Sequence, residues 1–362
     1  MSNSQTNQIG SGARALTLGV FTLLAAAGGQ IARSQVATNV PPPVPGARPA
    51  TVQVVTIHGA SLVGNLSGES ADRPAVVVLP PGYAHSPRRH YPVVYALHGY
   101  SIGAQQWIQE IHVPQTVEGA FAKGAREMIV VFPDSKTAYN GSFYTHSQTV
   151  GDFESYVVHD VVQYVDAHYR TIPNRLSRGL VGHSMGGYGA ARIGMLHPEV
   201  FGALYIMSGC CLSPMQPNAL SAENAAAIAA MKSPADAATL PFPARAALAT
   251  AAAWSPDPAR PPLYLDLPVK DGVAQPDVIA RWTANAPLAF FDQAVGNLRQ
   301  YTAIAIDVGD QDGLRADATK FHEALHSYGI AHTFEVYPGT HTSNVAFRFQ
   351  DFVLPFFSAN LK

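Results

Sequence analysis

The stretch GLVGHSMGGYGAARIG, residues 179–194, restricts this chain's fold more than any other. A Val-containing strand runs into Gly182-His183-Ser184-Met185-Gly186, and an Ala-rich helix follows. This is the G-x-S-x-G spacing in a strand–turn–helix setting. A turn that sharp has no room for side chains on either side of its apex, so glycines at 182 and 186 relieve the crowding. Ser184 is lifted to the head of the following helix, where the macrodipole favours developing negative charge. A strand that turns directly into a helix packed beside it belongs to a sheet covered by helices.

The rest of the chain has the same alternation. TVQVVTIHG, AVVVLPPGY, YPVVYALHG and MIVVFPDS are short runs rich in Val and aromatic residues, bounded by Gly, Pro or Asp. DFESYVVHDVVQYVDAHY places Phe153, Val157, Val161 and Val165 along one helical face. GLVGHS, ALYIMSG, YTAIAIDVG (301–309) and HTFEVYPG (332–339) read as further buried strands, and a helix containing LPFF closes the chain. The expectation is an α/β fold with a mainly parallel sheet, helices on both faces, and an antiparallel edge made by the early strands. Residues 212–300 interrupt the alternation with Ala-rich helical stretches and SPDPARPP, read as a helical excursion or a cap between strands.

With 362 residues, 47% hydrophobic and 13% charged, the chain can bury a substantial core. A net charge of −2 without long charged runs gives no nucleic-acid or anionic-membrane surface, so the expected partner is a small or weakly charged molecule. Arg14 precedes the apolar run ALTLGVFTLLAAAG (15–28), and no charge recurs before Arg33. Residues 1–33 therefore read as a secretory signal, with an uncleaved anchor as the rival. PPPVPGARP (41–49) makes 34–50 an extended linker, leaving 51–362 as the folded domain. A secreted or periplasmic protein with no membrane span in its mature chain is expected. The two cysteines, Cys210 and Cys211, are adjacent beside ALYIMSG and read as small buried residues.

A serine alcohol needs a base to take its proton and an acid to orient that base. Downstream of the elbow, DVGDQDGL supplies Asp307, Asp310 and Asp312. Asp307 belongs to the strand end; Asp312, in the loop proper, is the expected acid, with Asp310 in reserve. YPGTHTSN places His341 after the final strand, where a base belongs, whereas His183 beside the nucleophile reads as structural. Oxyanion donors are expected from the backbone N–H of Met185 and of Tyr100, in the loop after YALHG. Trp107, Ser142 and Tyr144 are expected to line the substrate pocket. No cofactor and no metal are expected.

One motif pulls the other way. HEALHSYGIAH (322–332) spells H-E-x-x-H-x-x-G-x-x-H through His322, Glu323, His326, Gly329 and His332, the string of a metzincin zinc helix. On a helical wheel Leu314, Phe321, Leu325 and Tyr328 form an apolar stripe, with His322 and His326 on its outward flank, about 100–140° from Phe321. Gly329 reads as a helix stop and His332 as the start of a strand. No Met follows His332, so a Met-turn is impossible, and the motif reads as a coincidence.

Together VVVLPPGYAHSPRRHYPVVYALHGYS, GSFYTHSQTVGDFESYVVHDVVQYVDAHYRT, GLVGHSMGGYGA, DVGDQDGL and VYPGTHTSN resemble the esterase D-like branch of the alpha/beta hydrolases. That branch includes feruloyl esterases, S-formylglutathione hydrolases, enterochelin esterases and mycolyltransferases. The resemblance spans most of residues 50–362 and implies an alpha/beta-hydrolase fold. Position by position it implies Ser184 as nucleophile, Asp312 as acid, His341 as base, and Met185 and Tyr100 as oxyanion donors. The implied activity is a serine carboxylic-ester hydrolase working through an acyl-enzyme on small or polymeric esters. Alternatives are an acyltransferase with the same triad, a non-catalytic binding protein on this scaffold, and the zinc protease. Residues 212–300 depart from the family's pattern, so no relative's substrate pocket carries over.

Overall fold

Runs of β-branched and aromatic residues, too apolar for a solvated face, become the strands of an eight-stranded sheet. The computed structural model describes Met1, residues 36–214 and residues 220–362; the apolar run at 15–28 lies outside the described residues. The strands are β1 (Thr51–His58), β2 (Asp72–Leu79), β3 (Val93–Leu97), β4 (Ile129–Pro133), β5 (Arg178–His183), β6 (Ala203–Met207), β7 (Ala303–Gly309) and β8 (Thr333–Tyr337). Their order across the sheet is β1-β2-β4-β3-β5-β6-β7-β8. β1 with β2 and β2 with β4 pair antiparallel; every other neighbouring pair is parallel. The expected antiparallel edge is therefore present, and the parallel strands bring the loops after β3, β5 and β7 to one end of the sheet.

Parallel neighbours need crossover connections, which helices supply. They include α1 (Ala104–Glu110), α2 (Gln115–Ala122), α3 (Met185–Leu196), α4 (Ala222–Ala229), α5 (Phe242–Trp254), α6 (Pro276–Asn285), α7 (Phe291–Leu298) and α8 (Arg315–Ser327), and α9 (Val345–Arg348) follows the last strand. Phe153, Val157, Val161 and Val165 are fully buried, as their spacing predicts. Their segment departs from a uniform α-helix by widening into π turns over Tyr156–Val161. The two-residue period of β3 splits its side chains between two cores. Val93, Tyr95 and Leu97 pack on the α3 side, while Val94 and Ala96 join Trp107, Phe132 and Phe349 on the other.

The stretch between β6 and β7 is helical, as its composition suggests, and shares the core of the α3 side. Trp254 at the end of α5 sits 5.2 Å from the Phe143 ring and 5.4 Å from Tyr188, whose hydroxyl donates to the Asn285 carbonyl at 2.8 Å. The Pro-rich stretch 36–50 is extended but does not act as a free linker. Prolines cannot donate, so the segment is fastened at its other residues. Val36 N–H donates to Glu110 (2.6 Å), Asn39 N–H to the Ser343 carbonyl (2.7 Å) and Ala50 N–H to Glu118 (2.8 Å). The arm thus holds the loop that carries His341.

Candidate active site

The elbow's geometry follows from its glycines. Ser184 caps α3 at φ 60° and ψ −117°, a left-handed backbone that costs an L-residue energy and persists because its surroundings enforce it. A Cβ on Gly182 would lie 2.0 Å from the Gly186 carbonyl oxygen, and one on Gly186 would lie 2.0 Å from that of Leu97. Neither position admits a side chain. Ser184 N–H donates to the Met207 carbonyl at 3.1 Å, pinning the turn to β6. Met185 N–H, the first of the helix, has no acceptor within it, and the helix dipole adds to its positive end.

Across from the elbow, the loops after β7 and β8 supply an acid and an imidazole. His341 Nε2 lies 2.9 Å from Ser184 Oγ, and His341 Nδ1 lies 2.8 Å from Asp312 Oδ2. Asp312 is nearly inaccessible, at 1% side-chain exposure, and its other oxygen accepts from Leu314 N–H at 2.9 Å. Burial alone would raise its pKa. The hydrogen bond and charge of His341, with Leu314 N–H and the Ser208 hydroxyl, outweigh burial and hold the carboxyl below its ordinary range. Asp310, the reserve choice, is exposed and accepts instead from Gly339 N–H at 2.9 Å. His183 Nε2–H donates to the His341 carbonyl at 2.8 Å, and burial, then the neighbouring His341, lower its pKa to about 3. It is a neutral strut under His341.

The loop after β3 closes the other side. A Cβ on Gly99 would touch Ser184 Cβ at 3.4 Å, so this backbone lies against Ser184. Ser101 N–H is committed to the Asn140 carbonyl at 2.8 Å, which leaves Tyr100 N–H as this loop's candidate donor beside Ser184. Buried His98 braces the loop: its Nδ1 bonds the Gly99 carbonyl at 2.9 Å and its Nε2 accepts from Ser135 N–H at 2.9 Å.

A second brace ties the acid loop to the base loop. Asp307 on β7 accepts from Arg348 Nε on α9 and from the Tyr205 hydroxyl, both at 2.8 Å, and Arg348 also bonds Glu335 at 2.7 Å. Burial pushes the Asp307 carboxyl up to about 6 against the pull of Arg348 and Tyr205. The Arg348 guanidinium moves up as well, held against burial by Glu335 and Asp307. The shifts have opposite meanings for the pair: desolvation wins at the acid, and two carboxylates win at the base. At neutral pH both are charged.

The family model described as Putative esterase matches residues 70–351. The chain belongs to this family. It has the α/β fold of that family's solved neighbours, as described above. A ferulic acid esterase of known structure is 22% identical, with a TM-score of 0.62 over 86% of this chain and 98% of that one. An S-formylglutathione hydrolase from Agrobacterium tumefaciens aligns at 18% identity and a TM-score of 0.55, covering 86% of this chain and 96% of that one. A ferulic acid esterase from Anaeromyces mucronatus aligns at 19% and 0.53, covering 88% and 94%. At such identities these structures speak for the fold. A curated relative, an endo-1,4-beta-xylanase/feruloyl esterase of Xylanibacter ruminicola, is 28% identical over 149 residues, 39% of this chain and 20% of its own length. The chain thus spans about a fifth of that relative.

The residues expected to line the esterase's pocket sit elsewhere. Trp107 is fully buried on the far side of the sheet, edge-on to Phe132 (5.6 Å) and Phe349 (6.3 Å), because its place on α1 faces that core. Tyr144 is also inaccessible; its hydroxyl donates to the His98 carbonyl at 2.9 Å, supporting the loop after β3 from behind. Buried Ser142 accepts from Tyr144 N–H at 3.1 Å and shapes that turn. Cys210 and Cys211 are free thiols and only half-buried, with Cys210 N–H donating to the Ser184 carbonyl at 3.1 Å.

The H-E-x-x-H string of the esterase lies on α8, between the acid loop and β8. Phe321 and Leu325 are buried as the stripe predicts, but Tyr328 is exposed and stacks on Phe291 instead. His326 and Glu323 are exposed; His322 is half-buried, stacked 4.5 Å from Phe334, with its Nδ1 2.7 Å from His332 Nε2. Among the described residues, no group of three or more His, Cys, Asp or Glu is placed to hold a metal ion. No helix among the described residues is long and apolar enough to cross a membrane.

Proposed function

We propose that the protein hydrolyses its ester through an acyl-enzyme on Ser184, with His341 as base and Asp312 as its orienting acid. The observation that carries this reading is the single imidazole hydrogen-bonded at one nitrogen to Ser184 Oγ and at the other to Asp312. Ser184 Oγ attacks the carbonyl carbon while His341 Nε2 takes its proton; Asp312 stabilises the imidazolium. The tetrahedral oxyanion accepts from the N–H groups of Met185 and Tyr100. His341 then returns the proton to the leaving alcohol, and a water activated by the same imidazole releases the acid. Esters of ferulic acid are the first substrates to try, since the names of the curated relative and two of the structural neighbours point there. Secretion or a periplasmic location fits a substrate of that kind.

A serine-directed phosphonate tests the nucleophile. Intact-mass measurement should show one adduct that maps to Ser184 and disappears in Ser184→Ala, whose turnover should fall on the order of a millionfold. An adduct on another residue, or a chelator-sensitive activity surviving in Ser184→Ala, would overturn the reading.

A further inference from the structure

We propose that the first turn of α5, contributed by the insertion between β6 and β7, forms a wall of the substrate site, with Phe242 as a platform for an aryl group and Arg245 as the reader of a negatively charged group on the ester. The inference rests on the esterase reading above and adds the substrate's charge to it.

A chain of contacts leads from the nucleophile to this turn. Gly99 lies against Ser184, and Tyr100 follows it in the loop. A Cβ on Gly141 would meet the Met185 sulfur at 2.6 Å and the Tyr100 ring at 3.0 Å, so Tyr100's side chain lies beside the residue that follows the nucleophile. The Phe242 ring stands edge-on to Tyr100 with centroids 5.9 Å apart. Phe242 is nevertheless 61% exposed, an aromatic face left to solvent beside the Tyr100 ring. Among the described residues, few large apolar side chains are so open, and this one packs on the loop that lies against Ser184.

Arg245 lies three residues further along α5, on the same helical face as Phe242. Its guanidinium is close enough to Tyr100 to act on that phenol's ionisation. Its Nε is buried without a hydrogen-bond partner, although the residue as a whole is half-exposed. No carboxylate among the described residues pairs with it, whereas the insertion's other half-buried arginine, Arg281, is bonded to Asp266 at 2.7 Å. A buried guanidinium N–H lacking its acceptor is costly, and a substrate carboxylate would satisfy it with two parallel charge-assisted hydrogen bonds. The aryl platform and the cation together fit an aromatic ester bearing an anionic group on its acyl or its alcohol part.

The test is a set of activated esters assayed with the full chain and four variants. 4-Nitrophenyl acetate is neutral and 4-nitrophenyl benzoate is neutral and aromatic. 4-Nitrophenyl hemisuccinate is anionic in its acyl part and 4-acetoxybenzoate in its leaving group. In Arg245→Leu, kcat/KM for at least one anionic ester, taken as a ratio to the neutral acetate, should fall about tenfold or more. Arg245→Lys should restore part of that ratio. Phe242→Ala should lower the benzoate-to-acetate ratio. Ratios cancel any loss of folded protein, so a merely structural residue would leave them unchanged, and unchanged ratios for both anionic esters overturn the inference. If the unaltered protein turns over no ester, or Ser184→Ala matches it, the esterase reading itself has failed. The acetate measurement separates the two failures.

Discussion

Asp312 and Asp310 lie two residues apart in one loop, yet their replacement by Asn should have very different consequences. Asp312 Oδ2 lies 2.8 Å from His341 Nδ1. As a carboxylate it can only accept there, so it fixes the proton on Nδ1 and leaves the Nε2 lone pair for Ser184. Asp312→Asn preserves shape but offers an N–H to Nδ1. That favours the tautomer with its proton on Nε2, which cannot take one from the serine. The side chain is 1% exposed, so water cannot replace the lost acceptor. The same substitution in serine-protease triads lowers kcat by about 10⁴, close to 5.5 kcal/mol of transition-state stabilisation. Asp310 is bonded to Gly339 N–H and makes no contact with the imidazole. Asp310→Asn, which keeps an acceptor oxygen, should change kcat by less than about threefold, a fraction of 1 kcal/mol. Steady-state kinetics on 4-nitrophenyl acetate, with active sites counted by phosphonate titration, measures both. Equal losses in the two variants, or less than a tenfold loss in Asp312→Asn, would refute the tautomer argument.

Two further predictions concern stability. Gly186→Ala forces a Cβ to 2.0 Å from the Leu97 carbonyl oxygen and should cost more than about 4 kcal/mol in denaturant unfolding, whereas Gly296→Ala, on α7 with nothing within 4 Å, should gain about 0.5–1 kcal/mol. Asp307→Ala leaves Arg348, 3% exposed, without its buried partner and should cost about 3–5 kcal/mol at pH 7. In the unaltered protein the Asp307 pKa of about 6 lies above that of an unfolded carboxyl, about 3.9. Folding therefore favours its protonated form, and its contribution is largest below about pH 4 and declines as pH rises through 6, by at most about 3 kcal/mol. Asp307→Asn should remove that decline; an unaltered pH profile would count against it.

The order of elements, the antiparallel edge and the elbow are properties of contiguous sequence. Strand periodicity and the steric needs of a tight turn act over a few residues, so GLVGHSMGG specifies its own geometry wherever it folds. The position of His341 was legible for a related reason: it follows directly from the last strand. Which acid reaches the imidazole depends on the path of a loop, and the bond from Gly339 N–H to Asp310 settles that path. The pocket residues were less legible. Trp107 and Tyr144 are aromatic and near the right segments, but which side of the sheet or loop a side chain faces is decided by packing, and both face inward. Phe242 carries no signal in its Ala-rich surroundings because its meaning comes from Tyr100, a residue distant in sequence. The H-E-x-x-H string shows the converse. Its letters satisfy a local pattern, but packing decides where each side chain goes: α8 leaves Glu323 and His326 exposed while His322 stacks on Phe334 and bonds His332. Local sterics were written in the sequence; convergence between distant segments was the work of the tertiary fold.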